Sequence, residues 1–388
     1  MSGFDVDALR REEFPWAAAG EAIYLNNAST GPLPQRTVAV LDEWSRLRAN
    51  PQRVPQELQF GTLARSRELI ASMIGADTSE IALAANTTFG INLAAFALPL
   101  AKGDVVLSPD LEFPANVYPW MQLAARRGIE FRQVKCDDGV LDAARLAKEL
   151  EDERVRVVTV SWVGFASGAR VNLEALGTLC RARGVYFVVD AIQGLGPLTI
   201  DLRRTPVDIF SSGAQKWLLS PWGSAFVYVR RALISSLEPH DVSWMAVKDS
   251  DDFSRLTDYD LTWREDARRF EFITLPYQDF GGMNASLELM HSLGTAEVSA
   301  HALRLADRIV EWACSRDDVE LVTPADASRR AAVISVRPRD ARAASQRLTA
   351  ARIAHSLREG AIRLSPHFYN TADEIDQTLR VIASSITK

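Results

Sequence analysis

Apolar residues arrive along this chain in two rhythms. Unbroken or nearly unbroken runs occupy 80–86, 104–108, 130–135, 155–162, 185–189, 208–212 and 224–230. Continuous runs of this length, rich in Val, Ile and Phe, fit strands covered on both faces, as in a parallel sheet. Between them apolar positions recur every three or four residues, which predicts helices over 35–48, 62–74, 141–152 and 172–183. Two more helices are expected, one opening at Thr87 and one ending at Gly128. Strand and helix in regular alternation imply right-handed crossovers and a doubly wound, mostly parallel sheet. The run 224–230 is expected as its antiparallel member. Breakers at Ser29-Thr30-Gly31-Pro32-Leu33-Pro34 mark a turn, and 51–61 reads as a loop. The segment 241–265 is polar and poorly periodic and reads as a long loop lining an entrance.

After two amphipathic helices, 279–293 and 299–315, the pattern changes. A strand at 331–337, a helix at 341–350, strands at 354–357 and 361–365 joined at Glu359-Gly360, and a closing helix at 371–387 describe a small α+β domain. The expected division is an N-terminal segment 1–20 packed on the body, a large domain 21–285 and a small domain 286–388.

Composition adds exclusions. Net charge is −6, from 44 basic and 50 acidic residues, which is no footprint for nucleic acid. Cys136, Cys180 and Cys314 are odd in number and far apart, against a disulfide framework and for a reducing compartment. The five histidines fall at no metal-ligand spacing, so no metal is expected. The first residues lack a basic region followed by an apolar core, and no run is long enough to span a bilayer. A cytoplasmic protein is expected. Asp279-Phe280-Gly281 mimics a kinase triplet with none of the accompanying segments.

The chemistry gathers between Gly184 and Trp217. The run 185–189 stops abruptly at Asp190; the run 208–212 is followed by small residues and then a lone Lys216. Two such strand ends bring a carboxylate and an amine to one rim of the sheet, where open α/β sheets bind ligands. A desolvated lysine has a lowered pKa and forms Schiff bases with carbonyls. Pyridoxal phosphate (PLP) needs such a lysine, and an acid to keep its ring nitrogen protonated. Gln193 could donate to the ring hydroxyl. An Asp or a Lys alone is an ordinary junction residue; the pair with Gln193 in a GAQKW context is harder to explain that way. Thr87-Thr88 at a helix start is either an N-cap or an anion site.

DAIQGLGPLTIDL, the following Lys216 segment and RLSPHFYNT at 363–371 resemble the class V aminotransferase family of PLP enzymes. That family includes cysteine desulfurases, selenocysteine lyases, kynureninases and isopenicillin N epimerase-like proteins. The resemblance implies the fold type I architecture and a PLP-dependent enzyme acting on an amino acid. It implies Lys216 as the aldimine lysine, Asp190 on the ring nitrogen and Gln193 on the ring oxygen, with Gln215 beside them. It points to Thr88, with Thr87 and Gly90, as the phosphate cup, and to Phe113 as the residue stacked on the ring. Asn27 and Ser29 fall in the active-site wall, and Ser161 and Trp162 on the substrate side. Arg363 matches the arginine that holds the substrate α-carboxylate. Thr274 matches a threonine that reaches the partner subunit's cofactor phosphate, which implies a homodimer with shared active sites.

Three departures narrow the chemistry. Phe113 stands where desulfurases usually carry a proton-moving histidine, Ile273 where the family has glycine, and 352–361 contains no cysteine. A persulfide mechanism is therefore disfavoured. Transamination ranks first, with epimerisation or C–S and β-elimination as alternatives. Two other classes remain: a nicotinamide oxidoreductase, for which Gly194-Leu195-Gly196 lacks its third glycine at Thr199, and a non-catalytic scaffold, against which Lys216, Asp190 and Arg363 all stand.

Overall fold

The structure, a computed structural model, describes residues 3–136 and 139–386. Its strands in chain order are β1 (Ile23–Tyr24), β2 (Ile81–Ala84), β3 (Val105–Pro109), β4 (Glu130–Val134), β5 (Val155–Ser161), β6 (Tyr186–Asp190), β7 (Ile209–Gly213) and β8 (Ala225–Val229). Then come β9 (Val319–Leu321), β10 (Ile334–Pro338), β11 (Ile353–Ala354), β12 (Ser356–Arg358) and β13 (Ala361–Leu364). The central sheet has the order β2-β8-β7-β6-β5-β3-β4. Strand β8 is antiparallel to both neighbours, and the remaining pairs are parallel, as the apolar runs predict.

Strand alternation explains why these runs are unbroken. Val106, Val157, Val188 and Ile209 point to one face, against Ile91, Trp120 and Leu123. Leu107, Val158, Phe187 and Phe210 point to the other, in a core with Leu69, Ile70, Leu176 and Met283. Side chains with period two on a sheet covered twice must all be apolar. Each fully buried Val, Leu or Phe stabilises the fold by roughly 1.5–3 kcal/mol. Helix ends follow local rules: the Asn86, Asp142 and Asn172 side chains cap N-termini, while Gly75 and Gly128 end helices at φ 65° and 68°.

Some boundaries differ from expectation. The helix expected at 62 begins at Gln56, directly after Pro55, and carries Gly61 in its interior, where open space surrounds the missing Cβ. Strand β9 had no apolar run to announce it. The expected strand 354–357 splits at His355, whose ring bonds Ser345 Oγ and the Ile353 carbonyl. Its halves join different sheets: β11 pairs in parallel with β1, and β12 joins the antiparallel sheet β12-β13-β10-β9. The helix Tyr277–Leu293 runs unbroken through the expected division at 285. The N-terminal helices pack on the C-terminal segment, where Arg10 donates to the Tyr369 carbonyl at 2.8 Å and pairs with Glu374. Among the described residues no helix is long and apolar enough to cross a membrane.

One loop ties the two main sheets together. Between Phe165 and Ser167 three successive carbonyls accept hydrogen bonds from Arg363, Ser335 and Thr323, all of the C-terminal portion. Gly168 is needed at the next position: a Cβ there would lie 1.8 Å from the Val333 carbonyl oxygen.

Candidate active site

Parallel strands in register end side by side, and here Ser161, Asp190 and Ser211 are neighbours across β5, β6 and β7. Asp190 is 3% exposed. Its Oδ1 accepts the Ile192 N–H at 3.0 Å. Burial pushes its carboxyl up to about 6, against the opposing pull of that N–H and of the Lys216 charge. Lys216 follows β7 by three residues. Desolvation lowers its amine to about 8, Asp190 opposes that, and Arg363 and Arg358 add to it. Lys216 Nζ stands 5.9 Å from the centre of the Phe113 ring, and that ring packs edge-on against Phe165.

The lysine loop is gripped from several sides. Gly31 N–H donates to the Gln215 carbonyl at 2.9 Å, and a Cβ at Gly31 would sit 2.1 Å from the Lys216 carbonyl oxygen. The breaker turn at 29–34 is thus the seat of the loop. The Trp217 indole donates to Gln193 Oε1 at 2.8 Å, and Gln193 Nε2 donates to the Ala28 carbonyl at 2.9 Å. One Gln193 N–H remains for a ligand. His367 Nδ1 accepts the Phe368 N–H, so its Nε2 carries the proton and donates to the Trp217 carbonyl. Burial holds His367 at about 4, hence neutral.

Thr87 and Thr88 open the helix Thr87–Ala97. Thr87 Oγ1 accepts the Gly213 N–H at 2.8 Å, which fastens the helix start to the end of β7. Thr88 is exposed one residue on. Gly90 lets the helix approach the sheet, since a Cβ would meet Ser211 Oγ at 2.3 Å. Gln215 lies beside Gly213. Arg363, 2% exposed, donates from Nε to Ser356 Oγ, from one terminal nitrogen to the Phe165 carbonyl and from the other to Ser29 Oγ. Among the described residues no carboxylate pairs with it.

Asn27 and Trp162 lie elsewhere, and Thr274, expected to reach a partner subunit's site, lies outside this one. Asn27 is fully buried behind the turn, where its amide binds the Ser365 carbonyl and the Tyr369 hydroxyl; Ser29 is the residue of that turn that meets Arg363. Ser161 and Trp162 are successive, so the pleat sends them opposite ways. The Trp162 indole goes under the Asp190 turn, where a Cβ on Gly194 would be 2.4 Å from it, with Phe210 centred 6.0 Å away. Thr274 is exposed just before the helix Tyr277–Leu293 and makes none of the contacts that bind the cluster, among the described residues.

Sequence reasoning missed Glu112. Its carboxyl accepts the Ser161 N–H at 2.6 Å, the Ser161 hydroxyl and the Asn116 amide. Desolvation raises it to about 7, with the Asp190 charge contributing. The available signal was an acid directly before the rim aromatic Phe113. Ser356, Phe165 and His367 were also missed in their roles around Arg363 and Trp217.

The residues suit PLP. A buried carboxyl with a single hydrogen-bond donor can accept a protonated ring nitrogen. The desolvated amine opposite can condense with an aldehyde, and the exposed helix start can take a phosphate. A buried acid and a desolvated lysine at adjoining strand ends of this mostly parallel sheet define a fold type I PLP-dependent enzyme acting on amino acids. The chain belongs to the aminotransferase class-V family, whose model matches residues 23–378. A probable cysteine desulfurase of Methanothermobacter thermautotrophicus is 30% identical, over 93% of this chain and 94% of that one. The isopenicillin N epimerase of Streptomyces clavuligerus is 28% identical over 92% of each chain. The same fold is seen in a mutant of C-DES with glycine covalently linked to its PLP cofactor, with TM-score 0.88 and 24% identity over 96% of this chain and 98% of that one.

Proposed function

We propose that the protein binds an amino acid by its α-carboxylate at Arg363 and that Lys216 removes its Cα proton, in an aminotransferase-like reaction. The observation that carries this is a nearly buried arginine with no acidic partner among the described residues, on the same side as a desolvated lysine. Three of its N–H groups are engaged, by Ser356, Phe165 and Ser29. The two others can hold a carboxylate.

When bound, PLP supplies a carbonyl for amines and a ring that accepts the electrons of a Cα carbanion. Asp190 keeps a proton at the ring nitrogen. Gln193 offers its remaining N–H to the ring oxygen, and Gln215 stands beside the lysine. Thr87, Thr88 and the helix N-terminus would hold the phosphate, and Phe113 would stack on the ring. Asn27 and Trp162 support these groups from behind. Lys216, lowered to about 8, is partly neutral near pH 7–8 and can take a proton from Cα and hold it for return. Thr274 serves a second copy of the chain, giving a homodimer with shared sites; exposed Phe272, Trp222 and Trp244 in that region favour such a contact. Three thiols dispersed along the sequence suit the cytoplasm.

Elimination is the second reading, favoured by the relatives named desulfurases. Cys136 and Cys180 are buried, and Cys314 is exposed at the end of the helix Thr295–Cys314. With no thiol in the cluster, a C–S cleavage here would release sulfur rather than store it on the protein.

Incubation with PLP should give a visible absorption band that disappears in Lys216→Ala. Amino acids should then bleach or shift the band, with keto acid, ammonia or sulfide assayed to assign the reaction. A protein that stays colourless with PLP overturns the proposal.

A further inference from the structure

Strands β12 and β13 form a hairpin closed by Glu359 and Gly360, both at positive φ, 45° and 74°. Its register sets Ser356 opposite Arg363 and Arg358 opposite Ala361. Residues two apart on a strand share a face, so Arg358 stands on the face that Ser356 and Arg363 occupy. The Arg363–Ser356 hydrogen bond confirms that face as the one turned to the site.

Arg358 is exposed and, among the described residues, donates only to the adjacent Leu357 carbonyl, at 3.3 Å. Among the described residues it has no acidic partner. Arg337 on β10 makes the contrast: both Glu320 oxygens neutralise it. The Arg358 charge also lies close enough to lower the proton affinity of Lys216 and Arg363. Three cationic groups thus share one wall; Asp190 answers Lys216, and one substrate carboxylate answers only one of the two arginines. Unanswered like charges repel, and an occupant with a second negative group relieves that repulsion.

We propose that Arg358 is a specificity-determining residue that binds a second carboxylate of the substrate, so that the site prefers amino acids with two carboxylates. This rests on the reading given under Proposed function and goes beyond it in substrate class. Asp190 and Glu112 do not compete for this role, since both lie at the strand rim below, bonded to Ile192 and Ser161.

The test uses the PLP-loaded, full-length protein. Glutarate and butyrate, which lack an amine and cannot react, are titrated while the cofactor band is followed. Wild type should bind glutarate about tenfold tighter than butyrate, the factor carried by one exposed ionic hydrogen bond. Arg358→Met should erase the difference and Arg358→Lys should keep most of it. Across aspartate, glutamate, α-aminoadipate and cystine, the best substrate should lose about tenfold in kcat/KM relative to alanine and leucine in Arg358→Met, since any effect of the lost charge on Lys216 is common to all substrates. Equal glutarate and butyrate binding in wild type, or a loss in Arg358→Met that alanine shares in full, overturns the proposal. Either result with a Lys216-dependent band intact sinks Arg358 alone; a protein with no band sinks the underlying reading as well.

Discussion

Replacing Asp190 by Asn should stabilise the cofactor-free protein while disabling the enzyme. Asp190 is 3% exposed, and burial raises its carboxyl from its ordinary 3.8 to about 6. Between those values the folded chain holds a proton that the unfolded chain has released. Stability from this group is therefore full at low pH and falls as pH rises towards 6. Above pH 6 the accumulated cost is about 3 kcal/mol, from 1.36 kcal/mol per pKa unit. Asparagine has no such cost. Its oxygen can still accept the Ile192 N–H, but its new N–H groups need partners, which returns about 1–2 kcal/mol. The net gain near neutrality should be about 1–2 kcal/mol, shrinking to nothing or reversing at pH 4. Urea unfolding of both cofactor-free proteins at pH 4 to 8 measures this. A difference independent of pH, or a wild type that is more stable at pH 7 than at pH 4 relative to the variant, would refute the desolvation argument. With PLP bound the ring nitrogen loses its acid, and turnover should fall on the order of a hundredfold or more.

Two other perturbations probe the supports of the site. Gly31→Ala places a Cβ 2.1 Å from the Lys216 carbonyl oxygen and 2.5 Å from Leu219 Cδ2; it should destabilise by about 1–3 kcal/mol and weaken PLP retention, both read by thermal melting with and without cofactor. Gly61→Ala, in a helix interior with open space around it, is the control and should add about 0.5–1 kcal/mol. Glu271 is buried, pairs with Arg67 at 2.6 Å and accepts the Leu83 N–H at 2.9 Å. Glu271→Ala leaves a charge and a donor unpaired and should cost about 3–5 kcal/mol in urea unfolding; a loss below about 1 kcal/mol would show that the pair is solvated.

What could be read without coordinates, and what could not, divides along the range of the interaction. Strands β5, β6 and β7 are local facts: apolar runs, stopped by a polar or small residue, with a capped helix between β5 and β6. Parallel strands must end on one rim, so Asp190 and Lys216 could be placed together before any contact was known. The direction of a side chain at that rim is different, because it depends on parity carried through a loop. Ser161 and Trp162 are adjacent in sequence and face opposite ways. Asn27 and Ser29 flank one turn, and only Ser29 meets Arg363. Glu112 was invisible because its partner Ser161 is 49 residues away, and His355 cuts one apparent strand in two through a bond to Ser345 on another element. The same logic separates two arginines of the C-terminal sheet. Arg337 and Arg358 are chemically identical and both sit on strands ending near one hairpin. Strand pairing gives Arg337 a carboxylate directly across from it, at Glu320, and gives Arg358 only Ala361. A charge becomes available for recognition when the fold withholds its counter-ion, and that depends on register rather than on residue type.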